Sequence, residues 1–184
     1  MSPGIASAVI TASVSVVVAV AVFVANQLAQ LRNERRQVAL TRVNAQLRDL
    51  YGPLFALVAV NERFWTAMRG AHLPGEARRR SGSLSESEAD EWRRWLQQGL
   101  MPANLKMRDL IVQHADLVVE DDMPQPLQDF CAHVASYEVH LARPDDAPSG
   151  RALIGHPGAP YVTYVRERFA DLKAEQGRLL GTRR

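Results

Sequence analysis

The most constraining feature of this sequence is an uninterrupted apolar run near its start. From Ile5 to Ala25, 21 residues pass without a charged, histidine, amide, glycine or proline residue, and no charge appears before Arg32. As a helix rising about 1.5 Å per residue, the run covers roughly 30 Å, the thickness of a bilayer's hydrocarbon core. A lone segment in lipid must satisfy its own backbone hydrogen bonds, which leaves the helix as its only spanning form. The many valines disfavour a helix in water, but burial in lipid outweighs so small a propensity. The sequence therefore predicts a transmembrane helix over 5–31, preceded by an extracytoplasmic stub at 1–4. A cleaved signal peptide would need a basic flank and a core of roughly 7–15 residues. Nothing basic precedes Ile5, and the run is longer than that.

Charge sets the expected orientation. Arg32, Arg35, Arg36 and Arg42 follow the run closely, whereas residues 1–4 hold no Lys or Arg. The positive-inside rule places the N-terminus outside and the rest in the cytoplasm, as a single-pass protein of the cell membrane. A stub of that size forms no external ligand site, so any outside signal is expected to arrive through a membrane partner. Within the run, Ser7, Thr11, Ser15 and Ala19 recur at every fourth residue. Small residues at that spacing share one helix face and let two helices approach closely. They suggest self-association or docking of a membrane-protein partner, although a helix rich in Ala, Ser and Val yields such spacings by chance.

The remaining residues are numerous enough for one helical domain with its own core. The formal net charge is only +2, which lacks the basic field of a nucleic-acid binder. The single cysteine, Cys131, excludes an intrachain disulfide and a cysteine-cluster zinc site, and suits a reducing compartment.

Beyond the run the apolar spacing is helical throughout. Leu40, Val43, Leu47, Leu50, Leu54, Leu57, Asn61, Phe64 and Met68 alternate in steps of three and four, a heptad seam with one polar member. The seam fits packing against the chain's own later helices or a parallel coiled coil in which Asn61 fixes register. Gly52 and Pro53 interrupt it, and Pro53 fits best as the first residue of a new helix. A juxtamembrane helix over 32–52 with a kink at its end is thus expected, followed by a cytosolic domain over 53–180. Residues 70–90 read as a polar loop containing Arg78, Arg79 and Arg80, and Ser83 or Ser85 opens the next helix as a capping box with Glu86 or Glu88. Trp92 and Trp95 read as core anchors of that helix, with a break at Gly99 and Pro102. A helix from Pro102 to Val119 carries Met107, Leu110, Ile111 and His114 on one face, then meets the acidic Glu120, Asp121 and Asp122. Acidic groups at a helix C-terminus oppose its dipole, so that run is expected to act as a hinge or acidic docking surface. Leu127, Phe130, Cys131, Val134, Tyr137 and Leu141 stripe a further helix opened by Pro126. A loop rich in Gly and Pro follows over 143–160, then a last helix from about Tyr161 and a frayed tail at 181–184. The fold class is all-α: one transmembrane helix, a kinked juxtamembrane helix and a cytosolic bundle of about four further helices.

No catalytic motif stands out. His114 sits within an apolar stripe, while His133 and His140 flank the next one on the same side, at positions read as surface. No paired Glu-x-x-His or His-Glu-x-x-His spacing accompanies them, so no metal, cofactor or catalytic residue is expected. Cys131 beside His133 lacks an oxyanion loop and reads as a buried thiol.

Five segments carry a resemblance: Leu50-Tyr51-Gly52-Pro53-Leu54, His114-Ala115-Asp116-Leu117-Val118, Asp121-Asp122-Met123-Pro124, Cys131-Ala132-His133-Val134 and Arg168-Phe169-Ala170-Asp171-Leu172-Lys173. In these the chain resembles a group of uncharacterised bacterial membrane-anchored proteins with one N-terminal span and a helical cytosolic domain. The resemblance implies location and architecture, and it assigns no activity.

The leading functional expectation is a non-enzymatic, membrane-tethered helical interaction or scaffold module, self-associating, with the lipid bilayer as one partner and no nucleic acid. Its interaction residues would be Ser7, Thr11, Ser15 and Ala19 in the span and Leu40, Val43, Leu47, Leu50 and Asn61 in the seam. The alternatives are a membrane-anchored enzyme or ligand receptor with a pocket near His114, Tyr137 and His140, and a subunit of a larger membrane complex.

Overall fold

The computed structural model of the chain describes residues 3–70, 84–141 and 154–181, with side chains for all of these except 3–16, 140 and 141. Every regular element among the described residues is helical, with no strand. Helix α1 spans Pro3–Ala45 and passes through a π-helical turn, Gln46–Tyr51, directly into α2, Gly52–Gly70. Helix α3, Glu86–Trp95, likewise passes through a π-helical turn, Leu96–Leu100, into α4, Met101–Gln113. A 3-10 turn at Ala115–Leu117, α5 at Gln125–Leu141 and α6 at Ala159–Leu180 complete the order.

Two expected breaks are therefore corrected to widened turns. At Gly52–Pro53 the backbone stays right-handed and helical, with Gly52 at φ −67°, ψ −55° and its N–H donating to the Leu47 carbonyl five residues back. Proline cannot donate, and its ring clashes with the carbonyl four residues earlier in a regular helix. Widening the turn absorbs that conflict without bending the rod away from its partners. It also explains the glycine. A Cβ at Gly52 would lie 2.3 Å from the Leu47 carbonyl oxygen. The second turn repeats the device, with Met101 N–H donating to the Leu96 carbonyl and Pro102 held in the first turn of α4. Here a Cβ at Gly99 would meet the Phe64 ring at 2.5 Å.

The heptad seam packs within the chain. Val43, Leu50, Leu54 and Met68 are buried, while Leu40, Leu47, Leu57 and Phe64 are half-buried against the same core. Helix α6 runs back along α1 and α2: Phe169 stacks on Phe55 at 4.4 Å between ring centroids, Gln176 donates to Asn44 at 2.7 Å, and Arg36 Nε donates to the Leu179 carbonyl. Helices α4 and α5 close the other side, contributing fully buried Met107, Ile111, Leu127, Phe130 and Val134. Each such apolar side chain contributes roughly 1.5–3 kcal/mol on burial.

Several elements differ from expectation in instructive ways. Ser85 forms the capping box, accepting from Glu88 N–H at 3.3 Å while its own N–H donates to the Glu88 carboxylate at 2.8 Å; Ser83 and Arg78 to Arg80 lie outside the described residues. The tryptophans of α3 are rim contacts rather than core: Trp92 is half-buried edge-on to Trp65, and Trp95 stays 38% exposed beside Phe64. Helix α4 stops at His114, whose φ −116°, ψ 33° leaves the helical region. The acidic residues 120–122 thus lie beyond the helix, and the dipole conflict read from sequence does not arise.

Among the described residues, one part of α1 has no apolar cover. Every residue of α1 from Val17 to Val38 is exposed, including Val17 at 66% and Phe23 at 61%. Packing begins only at Ala39 and Leu40. Among the described residues, no helix is long and apolar enough to cross a membrane. The apolar run up to Val16 has no described side chains, so the small-residue positions Ser7, Thr11 and Ser15 lie outside the described residues.

Candidate functional site

The polar centre of the domain forms where the first π-helical turn meets α6 and the segment after α4. Tyr51 is fully buried on that turn, a placement a tyrosine accepts only if its hydroxyl finds partners. It finds two. Val119 N–H donates to Tyr51 Oη at 3.3 Å, and the Tyr51 and Tyr164 hydroxyls lie 3.0 Å apart. Tyr164 Oη in turn donates to Glu120 Oε2 at 2.9 Å. Since the single Tyr164 proton goes to Glu120, Tyr51 must be the donor in the tyrosine pair. The chain therefore runs in one direction, from backbone amide through two hydroxyls to a carboxylate. Burial raises the pKa of both phenols; the link to Tyr164 opposes that rise at Tyr51, whereas the links to Tyr51 and Glu120 add to it at Tyr164. Both stay protonated and act as donors.

Arg168 closes the chain at its far end. Its Nε lies 3.9 Å from Glu120 Oε1, its guanidinium 6.0 Å from the Tyr164 ring centre, and its outer nitrogen 3.3 Å from Asp171. That Nε is buried and has no hydrogen-bond partner among the described residues. One turn earlier on the π-helical segment, buried Gln46 donates to the Leu117 carbonyl at 3.0 Å. The widened turn thus holds the 114–120 segment at two points, Leu117 and Val119. The arrangement offers no activated nucleophile and no free base. It is a strut, satisfied except at Arg168 Nε, that fastens three parts of the bundle together.

A second cluster gathers at α5 and the start of α6. His133 is buried and its Nδ1 lies 2.8 Å from the Ile154 carbonyl, which requires the proton on Nδ1. His156 Nδ1 accepts from Gly158 N–H at 2.8 Å, so its proton, when neutral, sits on Nε2. The two rings meet edge-on at 4.9 Å, with His156 also edge-on to Phe130 and His133 to Tyr137. Burial lowers the His133 pKa; burial, with the neighbouring His133, lowers that of His156 to about 4. Gly158 takes φ 61°, ψ −132°, a backbone only glycine adopts readily. This turn aims the His156 ring back onto α5.

No protein family, curated protein or solved structure matches this chain. Its chemistry has to be read from its own residues.

Of the pocket residues read from sequence, His114 lies at the end of α4 and Tyr137 within α5. His114 caps the end of α4, half-buried, on the side of Asp49. Tyr137 instead packs on His133, and the His140 side chain lies outside the described residues. His133, read as a surface position, is buried. Among the described residues no group of three or more His, Cys, Asp or Glu is placed to hold a metal. Cys131 is half-buried, and burial raises its pKa. An open cleft of about 390 Å³ lies between α1 and α6, lined by Asn44, Leu47, Arg48, Phe169, Lys173 and Gln176. Its polar groups already satisfy one another: Lys173 donates to Gln176 at 2.7 Å, Gln176 to Asn44, and Arg48 to Asp49 at 2.7 Å.

Of the seam residues, Val43 and Leu50 are buried, Leu40 and Leu47 half-buried, and Asn61 donates to buried Asn104 at 3.1 Å. Asn61 therefore sets register between α2 and α4 of one chain. Sequence reasoning missed the Tyr51–Tyr164–Glu120 chain. The available signal was a tyrosine in each of two apolar stripes, since a buried phenol implies a polar partner.

Proposed function

We propose that this protein is a membrane-tethered helical interaction module, held in the bilayer by the first part of α1 and presenting its bundle on the cytoplasmic side. The observation that carries this reading is the bare, apolar continuation of α1 beyond the bundle. Over residues 17–38 the helix extends for about 33 Å with every side chain exposed; the stretch Val17 to Ala25 is wholly apolar, amides enter at Asn26, and charges begin at Arg32. The valines and Phe23 of the apolar stretch face all directions, so no single partner groove would cover them. A stretch apolar all round is stable inside lipid or a helix cluster. The described part of the uncharged run, Val17 to Leu31, is by itself shorter than a span; joined to Ile5–Val16 it has the length and composition of one. The arginines after Leu31 favour a cytoplasmic bundle.

The bundle supports an interaction role rather than catalysis. Most of its buried polar groups fasten helices to one another, and the polar groups of its cleft are hydrogen-bonded. With the seam engaged inside the chain, self-association falls to the span and its small-residue face. Alkaline carbonate extraction of native membranes tests the tether: the chain stays in the pellet, and release into the supernatant would overturn the reading. Self-association is tested with Ser15→Cys, which is expected to crosslink between copies in membranes; a monomer in mild detergent with no crosslink would remove that part.

A further inference from the structure

We propose that the C-terminal turn of α6 and the first charged turns of α1 form one basic surface that seats the bundle on anionic phospholipid headgroups. The inference rests on the reading of α1 as a membrane anchor and adds a second contact with the same membrane.

The geometry begins with Arg36. Its Nε donates to the carbonyl of Leu179, and Gly181, at φ 74°, ends α6 beside the same guanidinium, which a Cβ there would approach to 3.5 Å. The antiparallel course of α6 thus returns the chain to α1 five residues after Leu31, the last of the uncharged run. Along the helix axis that is about 7.5 Å, inside the Debye length of about 8 Å at physiological salt. The end of α6 lies at the depth where α1 leaves the hydrocarbon.

The side chains gathered there fit a headgroup layer. Arg32, Arg35 and Arg36 on α1 and Arg178 on α6 lie in those turns with two acidic residues, Glu34 and Glu175, the latter bonded to Arg178, and Arg42 follows less than two turns further along α1. Arg32, Arg35, Arg42 and Arg178 are exposed. Leu180, at the tip, is 54% exposed, an apolar group suited to the interface rather than to water. A headgroup phosphate or serine carboxylate complements this surface. Each basic group near an anionic leaflet favours contact by roughly fivefold, so several together hold a domain already tethered by its own helix.

The test uses the full chain in vesicles, with a fluorophore on Leu180→Cys in a Cys131→Ser background and a quencher on the lipid headgroups. Phosphatidylcholine vesicles are compared with vesicles that also contain phosphatidylserine. Quenching is expected to be strong with phosphatidylserine, to weaken as salt rises and to be lost for most molecules in neutral vesicles. The combined Arg32→Gln, Arg35→Gln, Arg42→Gln and Arg178→Gln variant is expected to lose it even with phosphatidylserine. Quenching that ignores lipid charge and salt in the parent chain would overturn the proposal whether or not the variant folds. A chain that carbonate strips from the vesicles would overturn the membrane reading itself, and the seating with it.

Discussion

At the scale of single residues, the domain is held by polar groups that each depend on the next. Tyr51→Phe leaves the buried Val119 amide without its acceptor and the Tyr164 oxygen without its donor. An unsatisfied buried donor costs about 1–3 kcal/mol, so urea unfolding in mild detergent should shift to a lower midpoint with little change in slope. Tyr164→Phe leaves the buried Tyr51 hydroxyl without its acceptor, while water replaces the donor lost to exposed Glu120, so it should lower the midpoint by a similar amount. An unchanged midpoint for either variant would mean the two hydroxyls do not form a directed chain. The histidine pair predicts the response to acid. Both folded-state pKa values lie below the ordinary value of about 6.5, that of His156 at about 4. The unfolded chain therefore takes up protons first, and the stability these groups contribute is present above pH 6.5 and lost as pH falls towards 4. Thermal melts across that window should show a falling Tm, and His156→Gln should flatten the slope. A slope unchanged by that substitution would assign the acid response to other groups. Protonation of His156 Nδ1 would also remove the acceptor of Gly158 N–H, so the 154–158 segment should loosen first. Little of this was legible beforehand: His133 follows the stripe of α5 but its burial depends on Ile154, 21 residues further along the chain, and on His156.

At the scale of elements, periodicity predicted the helices well and their junctions poorly. The stripes of α5 and α6 and the capping box at Ser85 are local patterns, and each appears where the spacing put it. The junctions at Gly52–Pro53 and Gly99–Pro102 were read as breaks because proline opposes a regular helix. A π-helical turn removes the conflict while keeping the rod continuous, and what selects it is tertiary packing of Leu50, Tyr51 and Leu54 on α6 and α4. The two glycines separate in a testable way. Alanine in place of a helical glycine is favourable by roughly 1 kcal/mol from propensity. At Gly52 the new methyl meets a backbone oxygen that cannot move independently, and overpacking of about 1–3 kcal/mol should dominate. At Gly99 it meets the far end of the half-buried Phe64 ring, which has room to turn. Chemical denaturation should therefore show Gly52→Ala clearly destabilised and Gly99→Ala close to the parent. The reverse order would argue against the widened turn at Gln46–Tyr51.

At the scale of the whole molecule, one long helix has two parts with different surroundings. Its later part is the spine of a bundle, with a seam that α4 and α6 fill. Among the described side chains, those from Val17 to Val38 are exposed. The heptad seam fits an internal core first and a dimer second, because a repeat shows that a face is covered but not by which chain. The buried seam residues resolve that choice in favour of the chain itself. They leave the first part of α1 as the surface where lipid and partner copies would act.

The central claim is that α1 changes solvent near Leu31 and acquires protein contacts near Ala39. Spin labels placed singly from Val17 to Ala45 in the reconstituted full chain, read for collision with oxygen and with a water-soluble nickel complex, test it directly. The account predicts oxygen access without nickel access through the apolar run, nickel access rising from Arg32, and protection with a helical period from Ala39. Nickel access at Val17 to Val24 equal to that at Arg35 would contradict it.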